Sequence, residues 1–336
     1  MTHPTIEDVA RLADVSIATV SRCLHTPERV APPTRERVLA AVRETGYNLN
    51  LAAQSLRRRR SDTVLVVVPD IGNTYFSDIL GGIERVASAQ GLTMLIGDTR
   101  RSRTREESYV RHLVNGRADG ALLLIDPQAA WFEVPAPNAK GIRPIVTISE
   151  VAPGFANTAV MIDNVAAAEA MVSHLIAQGH QRIAHVTGPS NDILTRERMR
   201  GYRRALATAG LTEDAGYVIP GDYSLASGRA AFDRFLAMAN RPTAIFFAND
   251  ESAMGFISSA NLAGVRVPAE VSVAGFDDIH FAQSCTPALT TIRQPRAEMG
   301  AEAMRVLLAI IAGEAPASVC LPFELIERAS TAPPAR

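Results

Sequence analysis

Apolar residues recur at helical spacing in three short segments of the first 46 residues. In TIEDVARLA, Thr5 stands three residues before Asp8, a variant of the capping box that begins a helix. A tight turn at ADV follows, and the third segment, PPTRERVLAAVRETG, starts with proline and stops at Gly46. Two helices joined by a short turn and braced by a third predict a helix-turn-helix domain. The positions expected inside it are Ile6, Val9, Ala10, Ala13, Val38, Ala41 and Val42.

The second segment, DVSIATVSRCLH, has two unlike faces. Ser16 is a good helix cap, and Val20 and Leu24 form an apolar stripe at a spacing of four. The opposite face is small, mixed and only partly polar, and it consists of Ile17, Ala18, Ser21, Arg22 and His25. A face of this kind can fit against base edges in the DNA major groove because it is neither bulky overall nor acidic, so it predicts a recognition helix.

The stretch YNLNLAAQSLRRRRSD, residues 47–62, connects these helices to the rest of the chain. It is either a linker or a short helix with Ala52, Ala53 and Leu56 on one side. Such a helix is too short to be stable alone in water, so it would form only against DNA or a second copy of the chain.

Strands and helices alternate from residue 63 onward. TVLVVVPD is a continuous β-branched run, typical of a strand buried on both faces, and YFSDILGGIERVASAQG follows at helical spacing. A first series continues through LTMLIGD, ADGALLLID and RPIVTIS, and a second runs from TAVMID through RIAHVTG, PTAIFFAND and VSVAGFDD to LTTIRQP. Two such series predict two doubly wound parallel sheets, with ligands bound at the carboxyl ends of the strands.

Charge is distributed unevenly along the 336 residues. Residues 1–60 hold ten Arg against six Asp and Glu, and four of those Arg are consecutive, whereas the remainder holds 24 basic against 29 acidic residues. A basic head on an acidic body favours a polyanionic partner for the head. The composition, 47% apolar and 21% charged, is that of a globular protein too long for one ordinary domain.

Several classes of function lack their usual motifs. The sequence has no G-x-S-x-G, P-loop or zinc motif, and GPSND lacks the glycines of a dinucleotide loop, so we expect neither an enzyme nor a cofactor or metal. Cys23, Cys285 and Cys320 match neither a disulfide framework nor a metal site. With no leader pattern at the N-terminus and no window that could span a bilayer, we expect a cytoplasmic protein without membrane contact.

These segments, in this order and spacing, resemble the LacI family of bacterial transcriptional regulators over nearly the whole chain. The head matches through TIEDVARLADVSIATVSRCLH and TRERVLAAVRETGYNLNLAAQSLRR, and the body through PDIGNTYFSDILGGIE, LIAQGHQRIAHVTGP, FFANDESAMGF, VSVAGFDD and PALTTIRQP. The resemblance implies an all-α helix-turn-helix head on an α/β core like that of periplasmic binding proteins, with two doubly wound parallel-sheet subdomains. It also implies a repressor whose affinity for operator DNA is controlled by a small effector.

The resemblance places the head at residues 1–46, the hinge at 47–61 and the core at 62–336. One core subdomain takes about 62–161 with 293–322, and the other about 162–292 with 323–330. Because one head reads only a half-site, a palindromic operator requires a homodimer. The tail LIERASTAPPAR has no heptad repeat, so we expect no tetramer-forming helix.

Position by position, the resemblance implies which residues contact DNA. Base reading is implied for Ile17, Ala18 and Arg22, of which Arg22 can contact guanine and the other two thymine methyls. Phosphate contacts are implied for Ser16, Thr19, Ser21, His25 and Thr34, although a cap or a solvent-facing hydroxyl is an equally good interpretation of the small polar residues. The hinge matches at Tyr47, Asn50, Ala53, Gln54 and Leu56. Two hinge helices would pair through Ala53, and Leu56 would enter between base pairs and kink the duplex.

In the core, the resemblance implies an effector site made of Tyr75, Phe76, Arg198, Tyr223, Asn249 and Asp277. The first two are aromatic rings that can stack on a sugar or a base, whereas Arg198 and Asp277 would grip ligand hydroxyls from opposite sides. Asn249 would be a polar anchor and Tyr223 an aromatic wall. Glu150 is a further candidate near the cleft.

The stretches VVVPDI, FSDILGGIE, SEVAP and IRQP are most similar to the cytidine-responsive branch of the family, so the expected effector is a nucleoside such as cytidine. A simple sugar is the alternative, because the same clamp can grip sugar hydroxyls. A free purine base is disfavoured, since Asp192 and Leu194 stand where purine-responsive members have arginine and threonine. A solute-binding receptor without DNA function is a further alternative, which the DNA head argues against.

Overall fold

The computed structural model describes residues 4–47, 60–125, 143–149 and 158–335. The chain forms two compact units, Met1–Arg59 and Arg60–Arg336. No helix in the described part of the chain is both long and apolar enough to cross a membrane.

In residues 4–47 of the first unit, the α-helices are α1 (Ile6–Leu12), α2 (Ile17–His25) and α3 (Pro32–Thr45). The predicted capping box forms, because the Thr5 hydroxyl accepts from the backbone N–H of Asp8 and the Asp8 carboxylate accepts from that of Thr5. The turn from α1 to α2 passes through Asp14 in the left-handed conformation, with φ of 50°. The helix-turn-helix expected from the sequence is therefore present.

The core of this head uses one face of each helix. Val9, Val20 and Val38 are completely buried. Ile6 and Val42, which the sequence placed inside, are only half-buried, because three short helices cannot cover all of their apolar edges.

Strands and helices alternate through the second unit. Its strands are β1 (Thr63–Val68), β2 (Thr93–Asp98), β3 (Gly120–Leu123), β4 (Ile145–Ile148), β5 (Thr158–Met161), β6 (Ile183–Val186), β7 (Val218–Ile219), β8 (Ala244–Phe247), β9 (Ser272–Ala274), β10 (Thr291–Arg293), β11 (Val319–Cys320) and β12 (Glu324–Ile326). Its α-helices are α4 (Tyr75–Ala89), α5 (Arg103–Val114), α6 (Asn164–Ala177), α7 (Ile193–Thr208), α8 (Leu225–Ala237), α9 (Asp250–Leu262) and α10 (Arg296–Ile311).

Parallel pairing gathers most of these strands into two sheets. One has the order β11-β5-β4-β3-β1-β2 and the other the order β7-β6-β8-β9, while β10 and β12 form a separate antiparallel pair. In each parallel sheet the chain winds first to one side of its starting strand and then to the other, which confirms the doubly wound prediction. Because the winding reverses beside β1 and β6, the loops after these strands diverge and leave a crevice at their carboxyl ends.

The chain leaves the first sheet, builds the second and then returns. The six-stranded sheet takes five strands from the first half of the unit and its last, β11, from near the C-terminus. The returning helix α10 packs tightly on α4. A Cβ at Gly82 would lie 2.0 Å from the carbonyl oxygen of Ala297, and one at Gly300 would lie 2.1 Å from that of Ile79. Glycine at both positions therefore allows this contact, which fixes α10 on the first sheet.

The C-terminal segment is bound to the second sheet. The backbone oxygen of the fully buried Ser330 accepts from the N–H of Val273 at 2.8 Å, and its hydroxyl accepts from the N–H of Thr290 at 2.8 Å. The imidazole of His180 lies 2.9 Å from both the Thr243 hydroxyl and the Ala332 carbonyl oxygen. The tail is thus part of the fold of this unit.

Candidate DNA-reading helix and ligand cleft

The outer face of α2 is open to solvent. Ile17 is 46% exposed although it is a large apolar residue, and Ala18, Arg22 and His25 on the same face are also exposed. The helix therefore presents an apolar group beside a cation, which suits contact with thymine methyls and guanine edges.

The small polar residues of the head differ in exposure and in hydrogen bonding. Ser16 caps α2, because its hydroxyl accepts from the backbone N–H of Thr19 at 3.2 Å and lies 2.9 Å from the Thr19 hydroxyl. Ser21 and Thr34 are half-buried, and Tyr47 packs half-buried against the core of the head. The predicted positions outside the described residues are Asn50, Ala53, Gln54 and Leu56 in the hinge and Glu150 near the cleft.

A cavity of about 620 Å³ opens among the loops that follow the strands of the two parallel sheets. Its volume lies within the range of roughly 300–1,000 Å³ that is usual for small-molecule sites. The six residues that the sequence assigned to an effector all line it, namely Tyr75, Phe76, Arg198, Tyr223, Asn249 and Asp277. The fold therefore brings together residues from both sheets at the predicted edge.

Arg198 on α7 is held in a fixed orientation and is only 3% exposed. Its Nε donates to Oδ1 of Asn164 at 3.2 Å, and its Nη1 donates to the backbone oxygen of Ala248. The guanidinium carbon lies 3.8 Å from the ring centroid of Phe276. Since a guanidinium has five N–H groups and these two bonds use two of them, donors remain for a ligand.

Asp277 lies next to this arginine, with Oδ1 3.7 Å from Nη2 of Arg198. Arg198 on α7 and Asp277 after β9 thus lie beside each other, and the grip on a ligand from opposite sides stays a prediction. Burial raises the pKa of Asp277 to about 6, against the opposing effects of Arg198, Arg296 and the Gln294 amide. Its backbone has φ of 116°, a strained conformation of the kind found at ligand sites.

Two aromatic rings begin α4 beside the cavity. Tyr75 and Phe76 pack edge to face, with ring centroids 5.1 Å apart and planes at 79°. The Tyr75 hydroxyl lies 2.9 Å from Oγ of Ser149 and donates to Oε1 of Gln294 at 3.3 Å. Burial raises the pKa of Tyr75 to about 12, so the hydroxyl is protonated at neutral pH. The ring therefore has one defined orientation toward a ligand.

Tyr223 and Asn249 support each other at the second sheet. Tyr223 adopts a left-handed φ of 70°, and its hydroxyl lies 2.8 Å from Oγ1 of Thr195. Nδ2 of Asn249 donates to the backbone oxygen of Tyr223 at 2.9 Å, while its Oδ1 caps α9. The Tyr223 ring fills the space beside Gly188, where a Cβ would lie 2.1 Å from a ring carbon. Asn249 thus positions the aromatic wall as well as lining the cavity.

The sequence analysis missed several polar residues that organise the cleft. Glu251 at the start of α9 accepts from Nδ2 of Asn73 at 3.5 Å and from the backbone N–H of Thr74 at 3.4 Å, which joins the loop after β1 to the second sheet. Ser149 and Gln294 orient Tyr75, as described above. Gln294 lies in the motif IRQP, but its role could not be inferred because its partners are far away in the chain.

Asp192 and Leu194, the two positions that the sequence analysis compared with purine-responsive members, lie at the start of α7. Asp192 caps α7 by accepting from the backbone N–H of Leu194 at 2.7 Å, and the Leu194 side chain lines the cavity. The Leu194 side chain has no hydrogen-bonding group. Within the described residues no group of three His, Cys, Asp or Glu side chains could hold a metal ion.

Comparison with known proteins gives consistent matches over the chain. Residues 5–50 match the family described as bacterial regulatory proteins, lacI family, and residues 172–331 match the periplasmic binding protein-like domain. The HTH-type transcriptional repressor CytR of Escherichia coli (strain K12) is 39% identical over 332 residues, which are 98% of this chain and 97% of that protein.

Solved structures match with similar coverage. The lac repressor dimer bound to operator and the anti-inducer ONPF has a TM-score of 0.85 at 28% identity, covering 98% of this chain and 100% of that one. A complex of the transcriptional regulator CelR with cellobiose has a TM-score of 0.74 at 32% identity, covering 97% and 99%.

Proposed function

This chain belongs to the LacI family of bacterial regulatory proteins and is a transcriptional repressor, and we propose that a nucleoside controls its binding to DNA. A pyrimidine ribonucleoside such as cytidine is the preferred effector. DNA-binding repressors of this family bind operator DNA and small-molecule effectors as dimers, and its members are regulators rather than enzymes.

The observation that carries this proposal is the buried pair of Arg198 and Asp277 in one cavity with two aromatic residues that pack edge to face. A ribose diol can accept from the Arg198 guanidinium and donate to the Asp277 carboxylate. The two groups lie close enough for this, because Nη2 and Oδ1 are 3.7 Å apart and both residues line the cavity. Tyr75 and Phe76 offer an apolar surface for the base. The resemblance of the sequence to the cytidine-responsive branch of the family supports the same class of ligand, and a repressor named CytR is 39% identical.

For DNA, we propose that α2 enters the major groove. Arg22 reads a guanine, and Ile17 and Ala18 contact thymine methyls, which fits their exposure on one face. Ser16, Thr19, Ser21, His25 and Thr34 contact mainly phosphates. The hinge, residues 47–61, enters the minor groove through Leu56 when two chains pair.

A simple sugar is the alternative effector. The same arginine–aspartate pair can hold sugar hydroxyls, and the aromatic residues could cover a pyranose face. The similarity to the CelR–cellobiose complex, at 32% identity, favours this second candidate. The two candidates differ in what the aromatic residues contact, a base or a sugar ring.

Calorimetric titration of the full-length protein with cytidine, 2′-deoxycytidine, ribose and cellobiose tests the proposal. We expect saturable binding of cytidine and much weaker binding of 2′-deoxycytidine, because a site built for a hydroxyl leaves buried polar groups unpaired when the hydroxyl is missing. Asp277→Asn, which keeps the side-chain shape, is expected to lose most of the affinity. The matched control is Asp233→Asn on the exposed face of α8.

Binding of a free sugar with no heat from any nucleoside would reject the nucleoside and favour the alternative. Equal affinity for cytidine and 2′-deoxycytidine would show that the diol is not recognised, and the clamp would then be wrong.

A further inference from the structure

Gln294 lies in the segment between β10 and α10 and is 4% exposed. Its amide joins two cavity residues from different sheets. Nε2 donates to Oδ1 of Asp277 at 2.7 Å, and Oε1 accepts from the Tyr75 hydroxyl at 3.3 Å. Tyr75 follows β1 of the six-stranded sheet, and Asp277 follows β9 of the four-stranded sheet, so a single side chain links the two walls of the cleft.

The amide satisfies both partners in only one orientation. An ionised carboxylate can only accept, so Nε2 must face Asp277 and Oε1 is left for Tyr75. The Tyr75 hydroxyl then donates to the amide and accepts from the Ser149 hydroxyl at 2.9 Å. The hydrogen bonds therefore run in one direction, from Ser149 to Asp277.

The backbone around Gln294 is anchored by other groups. Nη2 of Arg296 donates to Oδ2 of Asp78 at 2.6 Å and to the backbone oxygen of Asp278 at 3.0 Å. The N–H of Asp277 donates to the backbone oxygen of Ile292 at 2.8 Å. The segment is therefore held in place without the Gln294 side chain, whose polar atoms act on Tyr75 and Asp277.

We propose that Gln294 is a positioning residue of the effector site: its amide holds the Tyr75 ring and the Asp277 carboxylate in the relative positions that a hydroxylated ligand requires. This inference rests on the proposed function. Because the amide contacts residues that follow strands of both sheets, we expect its loss also to change how strongly effector binding affects DNA binding. A methionine at this position keeps the length and removes both hydrogen bonds, and a glutamate places a second carboxylate beside Asp277.

The first experiment measures cytidine affinity by calorimetry and operator affinity with and without cytidine. We expect Gln294→Met to weaken cytidine binding on the order of tenfold, because it leaves the Tyr75 hydroxyl and the Asp277 carboxylate without their amide partner. We expect Gln294→Glu to weaken it further, because it places a second carboxylate beside Asp277. The ratio of operator affinities with and without cytidine is also expected to move toward one. Gln283→Met, at an exposed glutamine, is the matched control and should change neither quantity.

A double-mutant cycle separates positioning from a general loss of packing. If the amide acts through the Tyr75 hydroxyl, Gln294→Met and Tyr75→Phe share an interaction, and their effects on cytidine affinity will not add. Additive effects would contradict the proposal that the Gln294 amide acts through the Tyr75 hydroxyl.

A measurement without effector separates this inference from the identity of the ligand. Asp277 also faces Tyr75, Arg198, Arg296, Glu251 and Asp250, which Gln294→Met and Gln283→Met both leave unchanged, so a difference between these two variants reports the amide. Loss of its N–H disfavours the ionised carboxylate, so Gln294→Met should destabilise the folded protein more at pH 7.5 than at pH 5. Gln283→Met should show no such dependence.

The outcomes are distinguishable. If no nucleoside binds the unaltered protein but the pH-dependent loss of stability appears, the proposed effector fails and the amide–carboxylate contact stands. If cytidine binds and Gln294→Met behaves like Gln283→Met in all three measurements, the positioning role is overturned and the proposed effector stands.

Discussion

Arg22 on α2 and Arg198 on α7 are the same residue type in opposite settings. Arg22 is exposed on the head, whereas Arg198 is 3% exposed and is held by Asn164, Ala248 and Asp277. Arg22, which we propose reads a base, is already in water, so the fold does not depend on it. The cleft arginine has already been desolvated, and the protein groups around it compensate for the lost water.

The two regions therefore differ in what a substitution changes. On α2 a side chain can be removed without leaving a buried polar group behind, and the effect is confined to binding. In the cleft polar side chains also satisfy groups of their neighbours, as Asn249 does for Tyr223 and Gln294 for Asp277. Substitutions there are expected to affect both affinity and stability.

The largest effect is expected from Arg198→Met. The substitution keeps an apolar side chain near Phe276 but removes the cation beside the Asp277 carboxylate and leaves Oδ1 of Asn164 without the Arg198 donor. We expect effector affinity to fall on the order of a hundredfold and the free energy of unfolding to fall by about 3 kcal/mol. Calorimetry and thermal unfolding measure the two quantities. Arg200→Met on the same helix, where the side chain is 64% exposed, should change neither. If Arg198→Met leaves the stability unchanged, the proposed difference between the buried Arg198 and the exposed Arg22 is wrong.

Arg22→Ala is expected to act on specificity alone. A bidentate contact to guanine supplies ~1–3 kcal/mol of discrimination, so the difference in affinity between operator and scrambled DNA should shrink by that amount. The melting temperature should not change, because Arg22 is exposed. Gel shifts with both DNAs decide the outcome, with Arg43→Ala on exposed α3 surface as the control. Equal loss of affinity for both DNAs would remove the base-reading role.

Leu56→Ala tests the hinge. We expect folding and dimerisation to be intact and operator affinity to fall on the order of tenfold, because the bent complex compensates for unstacking only when the leucine enters the base step. A circular-permutation assay measures the bend. The same bend angle in the variant and the unaltered protein would refute the wedge.

The smallest effect is the pH dependence of effector affinity, which we expect in the cleft because of Asp277. The pKa of Asp277 is about 6, and a ligand hydroxyl that donates to its carboxylate favours the ionised form. Effector affinity should therefore be highest above pH 6 and fall by at most about tenfold between pH 7 and pH 5. Calorimetry in buffers across this range measures it. With Asp277→Asn, any residual binding should lose this dependence; if it persists, another group is responsible.

Much of the head could be predicted because its determinants are local. Thr5 and Asp8 are three residues apart, and the exposed face of α2 lies within one helix of nine residues. Helical periodicity alone therefore predicts which of these side chains lie on the same face. The same periodicity left small errors at Ile6 and Val42. How much of an apolar side chain is covered depends on neighbouring helices, which spacing does not describe.

In the core, the sequence by itself determined the alternation of strands and helices and the edge at which a ligand site would form. Parallel strands have their carboxyl ends at one edge, so the residues that follow them converge whatever their separation along the chain. With the family resemblance, this was enough to select six residues that line one cavity.

Only the tertiary structure decided how those residues contact one another. Arg198 and Asp277 meet directly, Asn249 holds the backbone of Tyr223, and Gln294 links Tyr75 to Asp277. These contacts join loops that are distant in sequence, and a difference of one ångström decides whether a hydrogen bond exists. Sequence spacing predicts on which face of a helix or strand a side chain lies, but it does not predict distances between side chains of different elements. Those distances depend on how the sheets and helices pack.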